Sequence, residues 1–146
     1  MRLLVKPLLF SILAFTFLLP EGCKKSTVCN GIPNIAVNIS IDASLPTYSA
    51  IATVGGYEVV GGGNGEVVLY RSTPSSFNAF DCLCPYEGTN NYKAQVQPQP
   101  GGIYAKCPVC GSMYLLSDGS VSKGPATCPL KKYTSTFDGT YLYVTN

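Results

Sequence analysis

Four cysteines stand in two short segments at the centre of this chain. The first reads Phe80-Asp81-Cys82-Leu83-Cys84-Pro85-Tyr86-Glu87-Gly88, and the second Cys107-Pro108-Val109-Cys110-Gly111-Ser112-Met113-Tyr114. Two pairs of sulfurs at short spacing are the layout of a two-loop metal or iron–sulfur site, because thiolates hold zinc and iron–sulfur centres. Cys82, Cys84, Cys107 and Cys110 are therefore the candidate ligands. The chain has no histidine among its 146 residues. Ser/His and Cys/His nucleophilic pairs are thus excluded. Asp81 and Glu87 do not make an acid–base pair, since nothing else marks a substrate cleft. The sequence predicts no enzyme active site of its own; a contribution to catalysis would be that of an electron-supplying subunit.

The elements around these segments read as short strands. Ile35, Val37, Ile39 and Ile41 alternate with polar residues, as in a half-buried strand. Tyr57–Val60 and Val67–Arg71 flank a glycine run at 61–65, which predicts a hairpin and not a phosphate loop, since no Lys-Ser/Thr ending follows. Phe77–Asp81 runs into the first cysteine segment. Gln95–Gly102, with two prolines and two glycines, reads as a loop. Ile103–Lys106 enters the second cysteine segment and Met113–Leu116 leaves it. Ser117-Asp118-Gly119-Ser120 is a turn. Tyr133–Phe137 and Tyr141–Val144 close the chain as a hairpin around Asp138-Gly139. No stretch after residue 23 has capped helical periodicity, so the fold class is all-β.

These segments resemble the Rieske family, whose first loop is C-x-H-x-G and whose second is C-x-x-H-G-S. Cys107-Pro108-Val109-Cys110-Gly111-Ser112-Met113-Tyr114 matches the second loop with Cys110 in the histidine slot. Gly124-Pro125-Ala126 looks like the family's covering loop. More narrowly, the chain is similar to Rieske-like lipoproteins of Bacteroidetes bacteria. The resemblance implies two or three antiparallel sheets with a small two-loop metal- or cluster-binding subdomain, over residues 34–146. It also implies Ser112 and Tyr114 as hydroxyl donors to cluster sulfurs. The first loop aligns in two registers. Starting at Cys84 keeps the glycine, as Gly88, and puts Tyr86 in the histidine slot. Starting at Cys82 puts Cys84 in that slot and loses the glycine. Residues two apart on a strand face the same way, so both cysteines could face one site. Without histidine the chain cannot build a two-histidine Rieske centre, and an all-thiolate 2Fe–2S cluster would sit at lower potential. Three occupants follow as expectations: a 2Fe–2S cluster, zinc, or none, with the cysteines bridged or idle.

The N-terminus sets the compartment. Arg2 and Lys6 precede an apolar run of signal-peptide length, too short to span a membrane, and Gly22-Cys23 ends it as a lipobox does. Residues 1–23 are thus expected to be a lipoprotein signal with lipidation at Cys23, and 24–33 a tether. The expected location is the cell envelope, lipid-anchored; Lys24-Lys25 in place of an acidic run favours a periplasm-facing domain. No twin arginine precedes the apolar run, so the chain crosses unfolded and meets its metal outside the cytoplasm, where zinc or disulfides fit well. Cys29 and Cys128 lie outside both motifs. They read as a disulfide partner pair, or Cys128 lies near the site. Net charge is +2 with only 12% charged residues, which argues against a nucleic-acid partner. The function expected first is single-electron transfer at the membrane surface to a redox partner protein. The alternative is a non-redox interaction or scaffold module held by zinc or disulfides.

Overall fold

The computed structural model describes residues 31–146. The expected signal segment, Cys23, Cys29 and most of the tether lie outside the described residues. The described residues build ten strands: β1 (Asn38–Asp42), β2 (Tyr57–Gly62), β3 (Gly65–Thr73), β4 (Ser76–Asp81), β5 (Gln97–Pro98), β6 (Tyr104–Lys106), β7 (Met113–Leu115), β8 (Val121–Lys123), β9 (Lys132–Phe137) and β10 (Tyr141–Thr145). All pairings are antiparallel. They form a six-stranded sheet in the order β1-β10-β9-β4-β3-β2 and a four-stranded sheet β5-β6-β7-β8. The all-β expectation holds. Two short 3-10 turns, Pro46–Ile51 and Gly88–Asn90, are the helical segments among the described residues.

β3 and β4 carry two cores on opposite faces. Successive strand residues point to opposite sides, and Val67, Val68 and Leu69 are all fully buried. Val68 and Phe80 face a cluster with Cys82, Cys84, Cys107, Tyr114, Leu116 and Leu130. Val67, Leu69, Phe77 and Ala79 face the other cluster, with Ile51, Tyr133, Leu142 and Val144. The cysteine segments are thus an extension of one core.

The predicted hairpin is present, but its strands run further into the glycine run than expected. Gly62 pairs with Gly65, which leaves Gly63-Asn64 as a two-residue turn with Gly63 at φ +57°. The expected loop over Gln95–Gly102 is only partly one. Val96 N donates to Cys82 O, Cys84 N donates to Ala94 O, and Gln97–Pro98 pairs with β6. Main-chain pairing overrides the two prolines because Pro98 sits on an edge strand, where a missing N–H costs nothing. β8 was not expected; Val121-Ser122-Lys123 is too short and too polar to stand out.

The turn at Ser117–Ser120 braces the cysteine core. Gly119 adopts φ +80°, and a Cβ there would lie 2.6 Å from the Phe80 ring. Gly119→Ala combines a left-handed backbone with overpacking, so it should cost about 2–3 kcal/mol. Urea unfolding of the variant against the parent chain checks this; a change within about 0.5 kcal/mol, the size of an ordinary surface substitution, would contradict it.

Candidate metal centre

Strand parity carries the first cysteine segment into place. Phe80, Cys82 and Cys84 share one face of the chain leaving β4, whereas Asp81 turns to the other. Its Oδ1 accepts from Leu83 N at 2.8 Å. Its Oδ2 accepts from Asn64 N at 3.0 Å, Asn64 Nδ2 at 2.8 Å and Tyr133 Oη at 2.5 Å. This fully buried carboxylate ties the Gly63-Asn64 turn and β9 to the backbone between the two cysteines. After Cys84 the chain turns sharply, with Gly88 N donating to Cys84 O at 2.8 Å.

The second segment is the connection of the β6–β7 hairpin. Lys106 pairs with Met113. Cys107 N donates to Ser112 O at 2.8 Å, and Gly111 N to Cys107 O at 3.1 Å. Gly111 at φ +75° lets the loop reverse with Cys107 and Cys110 on its inner side.

The two segments converge. The sulfurs of Cys84, Cys107 and Cys110 all lie within 4.8 Å of one another, and Cys84 Sγ stands 3.7 Å from Cys110 Sγ. Cys84 and Cys107 are fully buried and Cys110 is half-buried. Cys82 is not a member of this group. It lies two residues back along an extended chain, a step of roughly 6.6 Å, and packs in the core beneath the site. Burial pushes its thiol up, and the charges of Glu66 and Asp81 push it further. The register that starts at Cys84 is the one that places a first-segment sulfur in the group with Cys107 and Cys110, and Cys82 lies outside that group. The same-face expectation for the two cysteines holds, but facing one way does not give equal reach.

Hydroxyl groups line the sulfurs as the resemblance implies. Tyr114 Oη lies 3.2 Å from Cys84 Sγ. Burial, then contact with Cys84, pushes the Tyr114 phenol well above its ordinary range, so it keeps its proton and can donate to a Cys84 thiolate. Ser112 Oγ accepts from Cys110 Sγ at 3.1 Å and from Ala126 N at 2.9 Å. Once Cys110 is a thiolate the bond reverses, and the Ser112 hydroxyl donates to the sulfur. Burial raises the Cys110 thiol, but the hydrogen bonds of Ser112 and of the neighbouring Cys107 and Cys84 outweigh that and hold it below its usual value. Burial pushes the Cys107 thiol up to about 12 against the backbone donors of Cys110 and Val109. Tyr86 is half-buried against the same core, on the turn after Cys84.

Ser112 joins the second cysteine loop to the Gly124-Pro125-Ala126 segment, which does lie over the site. Ser112→Ala should orphan the buried Ala126 N–H, cost about 1–3 kcal/mol and speed hydrogen exchange at Ala126 selectively. Unchanged exchange there would show that the hydroxyl does not hold the covering segment. Cys128, beyond that segment, is disulfide-bonded and is not a fourth thiol of the site. The expected partner, Cys29, lies outside the described residues.

The donor set can be tested against its expected occupants. Four sulfurs about 2.3 Å from one ion stand about 3.8 Å apart in a tetrahedron, close to the 3.7 Å between Cys84 and Cys110. A two-iron cluster instead needs four protein donors, two on each iron, and sulfurs on opposite irons stand further apart than sulfurs sharing one. Three sulfurs within one 4.8 Å group are close enough to share a single thiophilic ion; a two-iron cluster would need a fourth donor beyond this group.

No protein family and no curated protein matches the chain by sequence. Solved structures do match in fold. The cyanobacterial plasma membrane Rieske protein PetC3 from Synechocystis PCC 6803 superposes with a TM-score of 0.54 at 23% identity, over 67% of this chain and 94% of that one. The ferredoxin of carbazole 1,9a-dioxygenase from Nocardioides aromaticivorans IC177 gives 0.45 at 20% identity, over 63% and 86%. A putative NADH-dependent nitrite reductase small subunit from Mycobacterium tuberculosis gives 0.44 at 20% identity, over 77% and 97%. The first of these shows that the domain has a Rieske-like fold.

Proposed function

We propose that this chain is a lipid-anchored envelope module that holds one iron ion on Cys84, Cys107 and Cys110 and passes single electrons to a protein partner. The observation that carries the reading is the convergence of three thiolates at the tip of a Rieske-like fold. Thiolate-bound iron would supply a one-electron couple. The chain's own residues do the rest. The two loops fix the sulfurs from separate hairpins, so the site is held before it is filled. Tyr114 and Ser112 direct hydroxyls at Cys84 and Cys110 and thereby stabilise negative charge on sulfur. Cys110 is the half-buried sulfur, beside a groove lined by Gln97, Gln99, Lys106, Pro108 and Val109. That is the side from which a partner could approach within electron-transfer distance. Anchoring would run through Cys23, and a Cys29–Cys128 disulfide would fasten the tether to the far side of the covering segment.

A second reading has its own support. The same three-thiolate geometry suits zinc, which needs no reductant to load in an oxidising compartment. The domain would then be an interaction module with a structural ion. Protein purified anaerobically from its own membranes separates these by metal analysis, acid-labile sulfide and visible absorption. Iron without sulfide, with thiolate charge-transfer bands, supports electron transfer by a single ion. Iron with equimolar sulfide would restore the two-iron cluster, and zinc in a colourless protein would establish the module.

A further inference from the structure

Cys84 and Cys110 are more than shared ligands. Their sulfurs stand 3.7 Å apart in direct contact, and a disulfide needs about 2.0 Å. The two differ in access. Cys110 is half-buried at the groove, while Cys84 is fully buried behind it. The remaining gap is small enough for side-chain rotation about Cys84 and Cys110 to close. An accessible sulfur backed by a buried one is the arrangement that thiol–disulfide exchange requires, since attack comes from the exposed member and resolution from the hidden one. Cys107 belongs to the same sulfur group and borders the same groove, but its side chain is fully buried, so it is not the member that an external disulfide meets first.

We infer that the metal-free site is a reversible dithiol, with Cys110 as the attacking sulfur and Cys84 as the resolving one. The oxidant is a disulfide, small or protein-borne. The Cys110 thiolate attacks one sulfur of that disulfide, forming a mixed disulfide and expelling the other sulfur as thiolate. Cys84, losing its proton, then attacks Cys110 Sγ. The Cys84–Cys110 bond forms, the mixed disulfide breaks, and the oxidant leaves as two reduced thiols. Two electrons pass from the chain to the oxidant. Closing the bond removes two of the three metal ligands, so oxidation and metal binding exclude each other. This activity goes beyond the metal reading and does not depend on it.

The test uses the full-length protein in detergent, stripped of metal with a chelator, reduced, and equilibrated with glutathione disulfide. After acid quench and alkylation, peptide mass spectrometry counts thiols among Cys82, Cys84, Cys107 and Cys110, all four of which are free at the start. The expected result is two of the four consumed, with Cys84 linked to Cys110. Cys110→Ser should abolish the link, whereas Cys107→Ser should keep it, with circular dichroism confirming that each variant stays folded. Metal-free protein in which Cys84 and Cys110 both remain alkylatable under excess oxidant would overturn the inference. So would a link of either one to Cys107 as the main product. Neither outcome bears on the metal content of protein isolated without stripping, so the two readings fail separately.

Discussion

Asp81→Ala is expected to destabilise the domain by about 3–5 kcal/mol, the largest effect of any single change outside the sulfurs. The carboxylate is fully buried and accepts four hydrogen bonds from three residues. Deleting it leaves those donors buried without partners, and each orphaned donor costs about 1–3 kcal/mol. The surroundings cannot collapse to compensate. A Cβ on Gly63 would already lie 2.5 Å from Tyr133 Oη and 2.7 Å from Asp81 Oδ2, so the pocket has no slack for rearrangement. Asp81→Asn keeps the shape but turns an amide N–H₂ toward donors, and should recover only part of the loss. Urea unfolding of the metal-free protein measures both. A loss below about 1 kcal/mol for Asp81→Ala, no more than one ordinary hydrogen bond, would mean that the network is not what joins the β2–β3 turn to the first cysteine loop. Because Asp81 Oδ1 holds Leu83 N, the variant should also weaken metal binding through the position of Cys84, without touching a ligand.

The second large effect separates three ligands from four. Cys107→Ser should reduce bound metal from about one ion per chain to under a tenth of that, since hydroxyl is a poor substitute for thiolate at a soft-metal site. Stability should fall with it, because metal affinity and folding are linked wherever the unfolded chain lacks the site. Cys110→Ser should do the same. Cys82→Ser is the control. It places a hydroxyl in an apolar core beneath the site and should cost about 1–3 kcal/mol, yet leave the metal content unchanged. Elemental analysis of the three variants, each normalised to folded protein, reads this directly. Equal metal loss from Cys82→Ser and Cys107→Ser would show that Cys82 is a ligand and contradict the three-sulfur reading.

The sequence-based reading reaches far where strand parity and turn chemistry decide the outcome. The glycine hairpin and the closing Asp138-Gly139 turn lie where side-chain period and left-handed glycines require them, whereas the strand expected from Ile35 begins only at Asn38, with Ile35 exposed ahead of it. The second cysteine loop is equally legible, because Cys107 through Tyr114 form one hairpin whose geometry is local. The first loop is not. Choosing between Cys82 and Cys84 depends on how far each reaches across to the other hairpin, and that distance is set by strand pairing between residues 82–84 and 94–96. No pattern within the first segment contains it. The prolines and glycines of 95–102 hide that pairing by looking like a loop. Asp81 escapes notice for a related reason. A lone aspartate beside a cysteine reads as a solvated charge, and only the approach of Asn64 and Tyr133, distant in sequence, makes it the buried hub of the site. Its one local clue is an acidic residue ending an apolar strand directly before the ligand loop.

The number of sulfurs on the ion is the quantity on which the account turns. X-ray absorption at the metal edge, on full-length protein purified anaerobically from its own membranes, counts them. The account predicts a single ion with three sulfur neighbours at about 2.3 Å, a fourth lighter donor and no second metal atom nearby. A four-sulfur shell that persists in Cys110→Ser, or a second iron in the outer shell, would contradict it.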